Sequence, residues 1–181
     1  ISLKNNTNQP RKLSLFYYVE WVLGVNRDQT APFIVTEYDE QTNAVLVYNK
    51  YNEEFGSRTA FVSSNLNIYS HTSDRKEFIG RNGSFEAPVS MTLQNLSNQV
   101  GTGYDPCSAI QVKVVIPPGE EECILFCLGQ GEDIAHGQNI RNKYADLEYA
   151  DKALADVKAF WDDKLDILQV KTPDPSMDLM L

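Results

Sequence analysis

The sequence predicts a mainly β protein, an antiparallel β-sandwich followed by a C-terminal helical region. Two observations carry this prediction. Up to about residue 130, apolar and polar residues alternate in short runs that turn-forming residues separate, which is typical of half-buried strands. After Gly129-Gln130-Gly131, apolar residues recur every three or four positions, which is the period of one face of an amphipathic helix.

The strands follow one another closely along the chain. We place them at residues 13–23, 33–38, 44–48, 58–63, 67–72, 111–116 and 123–128. Segment 39–43 is rich in turn formers and predicts a hairpin between its flanking strands, and segment 64–66 repeats the pattern. Segment 117–120, Pro-Pro-Gly-Glu, predicts the clearest hairpin, since prolines and glycine suit a turn and cannot continue a ladder.

Two helices are predicted after the strands. The shorter covers roughly residues 134–144, although Gly137 is unfavourable within a helix. The apolar face of the longer helix consists of Leu147, Ala150, Leu154, Val157, Trp161, Leu165 and Leu168. Prolines in segment 172–175 end this helix, and residues 178–181 predict the first turn of another. Trp21 and Trp161 both occupy apolar-face positions, so we expect them to pack in the core.

Charge and composition argue against two classes of partner. The 181 residues contain 16 Lys and Arg against 25 Asp and Glu, a net charge of −9. Proteins that bind nucleic acid or anionic lipid usually carry an excess of positive charge, so neither partner is expected. The longest apolar run, residues 123–128, is far shorter than the about 20 residues of a membrane-spanning helix.

Cysteine and histidine usage predicts neither disulfides nor a metal site. The three cysteines form no C-x-x-C pair, and we interpret them as reduced residues of a cytoplasmic protein. His71 and His136 are far apart and lack an HExxH motif or a cysteine partner, so no metal is predicted. Without an initiator Met or a signal segment at Ile1, the sequence suggests a piece of a longer protein.

Several phrases occur together in a characteristic order. They are YYVEWVLG at 17–24, YNEEF at 51–55, TSDRKEFIGRNGS at 72–84, GTGYDPC at 101–107, PGE at 118–120, and QVKTPDP at 169–175 with DLML at 178–181. In this order they resemble the N-terminal β-sandwich region of glycoside hydrolase family 94, formerly glycosyltransferase family 36. The resemblance is greatest to the cyclic β-1,2-glucan synthase branch, with the cellobiose and chitobiose phosphorylases as relatives.

The resemblance implies a fold and a division into domains. Family sandwiches are supersandwiches similar to galactose mutarotase, and a helical linker joins them to an (α/α)6 barrel. It therefore implies a sandwich at residues 1–131, a linker at 132–171 and the start of a truncated barrel at 172–181. Family sandwiches usually have strands upstream of a phrase like Ile1-Ser2-Leu3-Lys4, so residues 1–131 are expected to hold part of one.

The resemblance also implies where the chemistry takes place. Inverting cleavage needs a carboxylic acid, together with a base that activates water or with phosphate as the attacking group. The family keeps its catalytic Asp and phosphate site in the barrel, so no catalytic residue and no cofactor is assigned to this chain. Inorganic phosphate is the implied co-substrate of a parent enzyme. Asp174 lies between two prolines, where we interpret it as a turn or helix-entry residue.

Residues 74–84 are the best candidate for function. Charged and amide side chains surround Gly80 and Gly83, and guanidinium and amide groups suit sugar hydroxyls. In family relatives a similar loop faces the substrate cleft of the barrel. Interpretations as a surface loop, a domain interface and a direct sugar contact all remain open. The candidate substrate-binding residues are Asp74, Arg75, Glu77, Arg81, Asn82, Tyr104 and Asp105.

Three functions remain as hypotheses. The first is a non-catalytic domain that braces the barrel and helps shape its β-glucan cleft, in a parent that is a cyclic β-1,2-glucan synthase or an inverting phosphorylase. The second is a stand-alone carbohydrate-binding module, which predicts a row of exposed aromatics on one sheet face. The third, a mutarotase-like epimerase, has only His71 available on a strand.

Expected partners are a β-glucan or a glucose-containing oligosaccharide, the barrel of the same chain and a second copy. A parent could be attached to the inner membrane through other segments.

Overall fold

The protein consists mainly of antiparallel strands. The computed structural model describes residues 1–167 and 170–178. Within them the strands are β1 (Ser2–Lys4), β2 (Arg11–Glu20), β3 (Val35–Asp39), β4 (Ala44–Tyr48), β5 (Thr59–Ser64), β6 (Ile68–Asp74), β7 (Pro106–Ile116), β8 (Glu121–Cys123) and β9 (Phe126–Gly131). The helices are α1 (Arg27–Thr30), α2 (Arg75–Ile79), α3 (Ile134–Tyr144), α4 (Leu147–Leu165) and α5 (Pro175–Asp178).

Two sheets enclose the main core. One has the strand order β2-β7-β6 and the other the order β3-β4-β5-β9, while β1 and β8 form a separate two-stranded ribbon. All pairings between these nine described strands are antiparallel, which confirms the predicted fold class. The core between the sheets contains Trp21, Val47, Val62 and Ile110. Trp21 is buried as predicted, and its indole N–H donates to Ser108 Oγ at 2.8 Å.

A second apolar layer lies on the other face of the four-stranded sheet. Phe61 in β5 is fully buried there, against Leu46 and the partly buried Ile140 of α3. A Cβ atom on Gly129 would come within 2.4 Å of the Phe61 ring, so only glycine leaves room for that ring. Because both of its faces are covered, the sheet buries every residue of β4 and β5.

The predicted hairpin across segment 117–120 is wrong. Strand β7 pairs with β2 and β6, whereas β8 pairs with β1 and β9 pairs with β5. The N-terminal segment explains the difference, because Asn5 bonds to both sides of the turn. The backbone N–H of Asn5 donates to Glu120 O at 2.9 Å, and its side-chain amide donates to Ile116 O at 2.9 Å. The chain is thereby directed from one sheet to the other.

Of the other two predicted hairpins, one is present in the structure and one is not. The hairpin across segment 39–43 is confirmed, since β3 and β4 pair along their whole length. The hairpin across segment 64–66 is wrong, because β5 and β6 belong to different sheets. Asn43 contributes to this crossing, since its side-chain oxygen accepts from the N–H of Ile68 at 2.9 Å and its amide donates to Leu66 O at 2.9 Å.

The helices agree with the periodicity. Helix α3 covers 134–144 as predicted, and α4 begins at Leu147, while Leu168 lies outside the described residues. Asp174 accepts from the N–H of Ser176 at 2.9 Å, which confirms its helix-entry role at α5. Residues 179–181 of the predicted last helix lie outside the described residues. Trp161 does not pack as predicted, since 54% of its surface is exposed.

The chain divides into two compact units, Ile1–Asp146 and Leu147–Leu181. The first contains the three sheets and the helices up to α3, which packs on β5 and β9. The second contains α4 and α5, and in its described part no residue is buried. The domain boundaries after residues 131 and 171 stay predictions.

His71 makes the stability of the first unit depend on pH. Its ring is buried on β6 and stacks on Tyr38 with centroids 4.2 Å apart. Burial lowers the pKa of His71 from 6.5, against a smaller raising effect of Glu77. The unfolded chain therefore binds a proton at a higher pH than the folded chain does, and stability falls as the pH drops below 6.5.

We expect the melting temperature of the protein to fall between about pH 7.5 and pH 5.5. His71→Phe should flatten this slope, whereas the exposed His136→Phe should leave it unchanged. Glu20 and Asp39 contribute in the same direction but only below their ordinary pKa values of 4.5 and 3.8. Thermal denaturation at several pH values measures the effect, and a slope that survives in the His71 variant would contradict its assignment.

Candidate functional site

Three segments of the chain meet at one end of the sheet β2-β7-β6. Glu20 is the last residue of β2 and lies opposite Cys107 near the start of β7. Asp74 ends β6 opposite Pro106, and Arg75 then begins α2. Asp105 directly precedes β7, and its backbone oxygen accepts from the N–H of Arg75 at 2.9 Å. The antiparallel register therefore brings residues that are distant in sequence to one place.

Two arginines and two carboxylates form a closed ring of ion pairs there. Arg27 Nη1 lies 3.1 Å from Glu20 Oε2, and Arg75 Nε lies 2.8 Å from Glu20 Oε1. Arg27 also contacts Asp105, and Arg75 Nη1 lies 3.9 Å from Asp105 Oδ2. The four side chains are between 26% and 32% exposed, so water screens them only in part. We call this set the ion-pair ring.

Aromatic side chains flank the ion-pair ring. Tyr18 donates its hydroxyl to Glu20 Oε1 at 2.8 Å, and the Arg75 guanidinium lies 5.9 Å from the centre of the Phe85 ring. Burial by itself would raise the pKa of Glu20. The hydrogen bonds from Tyr18 and Arg75 and the charge of Arg27 outweigh burial and hold this pKa below its ordinary value. Glu20 is therefore a stable anion at the centre of the ion-pair ring.

Helix α2 is tied to the body of the domain through its acidic residues. Asp74 caps the helix, since its side chain accepts from the N–H of Lys76 at 3.0 Å. Glu77 accepts from Thr72 Oγ1 at 2.5 Å and from Ser97 Oγ at 2.6 Å. The carboxylates of Asp74 and Glu77 thus form hydrogen bonds within the domain that fix the position of α2.

The segment after α2, residues 80–84, forms a tight loop that we call the tip loop. Gly80 has φ of 98°, and the N–H of Gly83 donates to Gly80 O at 3.3 Å. A Cβ atom on Gly83 would lie 1.9 Å from Ile79 O, so the turn requires glycine. Arg81 and Asn82 are exposed between these glycines, and their side chains have no hydrogen bond or ion pair to any described residue.

A second glycine-rich loop, residues 101–104, leads into the ion-pair ring. Gly101 and Gly103 have φ of 131° and 82°, where glycine is favoured. The Gly101 backbone bonds to Thr36, whose N–H donates to Gly101 O at 3.0 Å. Tyr104 is half-buried, and the following residue, Asp105, belongs to the ion-pair ring.

The structure separates the predicted site residues into three groups. Arg75 and Asp105 share the ion-pair ring, with the half-buried Tyr104 directly before Asp105; Asp74 and Glu77 anchor α2, and Arg81 and Asn82 lie in the tip loop. Glu20 and Arg27 were missed by sequence reasoning. Their only sequence signal is that Glu20 lies on the polar face of the predicted strand 13–23 and Arg27 follows shortly after it, which gives no indication of a partner far along the chain.

The described residues contain neither a candidate metal site nor a candidate membrane-spanning helix. No group of three or more His, Cys, Asp and Glu residues within 1–167 and 170–178 could hold a metal ion. In the same residues, no helix has both the length and the apolar character that crossing a bilayer demands.

The fold defines an antiparallel β-sandwich domain with a charged loop at one end, and comparison with known families assigns it further. The glycosyl hydrolase 94 supersandwich domain matches residues 1–147. This match covers most of the chain, so the protein belongs to that family. It confirms the resemblance found in the sequence.

Curated relatives match along the whole chain. The protein is 33% identical over 185 residues to the cyclic β-(1,2)-glucan synthase NdvB of Rhizobium meliloti, covering 100% of this chain and 6% of that protein. It is 29% identical over 188 residues to the N,N'-diacetylchitobiose phosphorylase of Vibrio furnissii, covering 100% of this chain and 23% of the phosphorylase. A cellobionic acid phosphorylase of Neurospora crassa is 28% identical over 98% of this chain and 23% of its own length. The chain thus spans less than a quarter of each of these relatives.

Proposed function

We propose that this domain is a non-catalytic part of a carbohydrate-active enzyme. It braces an (α/α)6 catalytic barrel and helps shape the cleft in which that barrel processes a β-glucan. Family membership supports this proposal, since the relatives named above are a cyclic β-(1,2)-glucan synthase and phosphorylases of N,N'-diacetylchitobiose and cellobionic acid. Phosphate would serve the barrel as co-substrate, and the barrel would be the main partner of this domain.

The tip loop is the observation that carries the proposal. Its base is fixed by the glycine turns, by Glu77 and by the ion-pair ring, whereas Arg81 and Asn82 present unpaired donors to the outside. A preorganised loop loses little conformational freedom when it binds, so the donors at its end are suited to a partner surface or a sugar hydroxyl. In a loop with a purely structural role, the side chains of Arg81 and Asn82 would instead form hydrogen bonds or ion pairs within the domain.

The stand-alone carbohydrate-binding module is supported less well. Such a module binds sugar on a row of exposed aromatic rings along one sheet face. Of the described strands, only β6 exposes a large aromatic side chain, Tyr69, and a single ring makes no row. The other exposed rings of the first unit, Phe33, Tyr51, Phe55 and Phe85, lie outside the strands.

Arg81→Ala tests the proposal in a polypeptide that joins this domain to its barrel. We expect kcat/KM for the β-glucan substrate to fall by about tenfold, a loss of about 1.4 kcal/mol of transition-state binding. The melting temperature should stay unchanged, because Arg81 is exposed and bonds to no described residue.

Lys12→Ala, an exposed cation on β2, is the matched control and should change neither quantity. Lower stability with unchanged kinetics in the Arg81 variant would contradict the proposal. Phosphorolysis of a β-linked disaccharide by the 181-residue chain alone would equally contradict a non-catalytic role.

A further inference from the structure

A cavity of about 620 Å³ opens at the ends of β2, β4 and β5. Leu23 and Gly24 follow β2, Asn49 follows β4, and Ala60 of β5 forms part of its lining. The volume falls within the range of about 300–1,000 Å³ that is typical of small-molecule sites. Neither the ion-pair ring nor the tip loop contributes a residue to this cavity.

One wall of the cavity is a loop, residues 49–58, that two asparagines hold in shape. The side-chain amide of Asn49 donates to Leu23 O at 3.1 Å. Asn52 Oδ1 accepts from the backbone N–H of Glu54 at 3.1 Å and of Phe55 at 2.9 Å. The N–H of Arg58 then closes the loop on Phe55 O at 3.0 Å. The wall is therefore formed before any ligand binds.

The lining combines an aromatic ring with unpaired polar groups. Phe55 is 46% exposed, and the guanidinium carbon of Arg58 lies 5.2 Å from the centre of its ring. The side chains of Glu54, Arg58 and Gln130 also line the cavity and have no hydrogen bond or ion pair to any described residue. The cavity thus offers the carboxylate of Glu54 as a hydrogen-bond acceptor, the guanidinium of Arg58 as a donor and the side-chain amide of Gln130 as both. These groups lie beside the apolar ring of Phe55.

This combination selects the chemical class of the ligand. The cavity lining has one carboxylate, Glu54, and one guanidinium, Arg58, so its charges balance and favour neither an anion nor a cation. Glu54, Arg58 and Gln130 are exposed, so a purely apolar ligand would displace water from these polar groups and return no hydrogen bond. A neutral sugar satisfies all of them, because its hydroxyls both donate and accept while its C–H face packs on an aromatic ring.

We propose that this cavity is a second saccharide-binding site, separate from the tip loop, that takes a β-linked glucose disaccharide or the end of a longer β-glucan. The choice of sugar rests on the proposed function, whereas the site itself rests on the cavity and its lining. A second site of this kind would hold a long glucan to the domain while the barrel acts elsewhere on it.

NMR titration of the 181-residue chain with sophorose, a β-1,2-linked glucose disaccharide, tests the inference. We expect saturable shifts of the backbone amides of residues 49–58 and of Gln130. Phe55→Ala should weaken binding by about tenfold, since aromatic anchors dominate such contacts. Tyr69→Ala is the matched control, because that ring is similarly exposed under the ammonium group of Lys113 at 3.4 Å but lies outside the cavity.

The outcomes separate this inference from the proposed function. Shifts that Phe55→Ala abolishes and Tyr69→Ala retains would support the cavity site, whatever Arg81→Ala does to catalysis. Shifts confined to residues 74–84 and lost in an Arg81→Ala variant would overturn the cavity site and leave the proposed function standing. No shifts at millimolar sophorose, or equal weakening by both aromatic variants, would overturn the inference.

Discussion

Phe61→Ala should destabilise the protein by about 3–5 kcal/mol, which is a large part of the about 5–15 kcal/mol that stabilises a typical domain. Phe61 is fully buried and joins Leu46 of the sheet to Ile140 of helix α3. Truncation removes the ring and leaves a cavity between two elements that the rest of the fold holds in place. Urea denaturation followed by circular dichroism measures the change in the free energy of unfolding.

Phe85→Ala is the control for this experiment. Its ring is 64% exposed and makes an edge contact with Tyr18 at 5.9 Å. A surface substitution of this kind changes stability by about 0.5 kcal/mol or less. Equal losses in the two variants would mean that helix α3 does not pack on the sheet as described.

Gly83→Ala should damage both the stability and the function of the tip loop. The added methyl group would lie 1.9 Å from Ile79 O, a backbone atom at the end of α2, so the loop itself must move. Overpacking of this kind costs about 1–3 kcal/mol. Because Arg81 lies within the same turn, we expect kcat/KM of a barrel-containing polypeptide to fall at least as far as in Arg81→Ala.

Asn82→Ala separates the shape of the loop from its chemistry. Asn82 is exposed and its side chain bonds to no described residue, so its removal keeps the turn intact. We expect an unchanged melting temperature in this variant and a lower one in Gly83→Ala. Thermal denaturation and steady-state kinetics on the same samples provide both readings. A Gly83 variant as stable and active as the unmodified protein would refute the requirement for glycine.

Local patterns predicted much of this architecture correctly. The bounds of the strand at 44–48 and of the helix at 134–144 were predicted as the structure has them, because each local pattern is set by neighbours within a few residues. The same applies to Asp174, since helix entry depends on the next few backbone N–H groups, whereas helix α2 and its cap Asp74 were not predicted. The ordered phrases also indicated the family to which the supersandwich match assigns the chain.

Distant contacts could not be predicted in this way. Segment 117–120 has the composition of a hairpin turn, but Asn5 bonds across it and sends the chain into another sheet. The close approach of α3 to β9 is another such contact: a Cβ on Gly131 would lie 2.2 Å from Gly137 N, so residue 131 must be glycine, whereas a Cβ on Gly137 would come no closer than 3.7 Å to Phe61.

The candidate site likewise combines features that the sequence predicts with contacts that only the structure shows. The sequence by itself predicted a charged, glycine-containing loop at residues 74–84, of which the structure forms residues 75–79 into helix α2, and it placed Arg75 and Asp105 in charged segments. Only the tertiary structure decided that these two residues meet Glu20 and Arg27, and that Arg81 stays outside their ion pairs. The physical reason is that ion pairing acts through space over a few ångströms, whereas sequence patterns report only which residues are near one another along the chain.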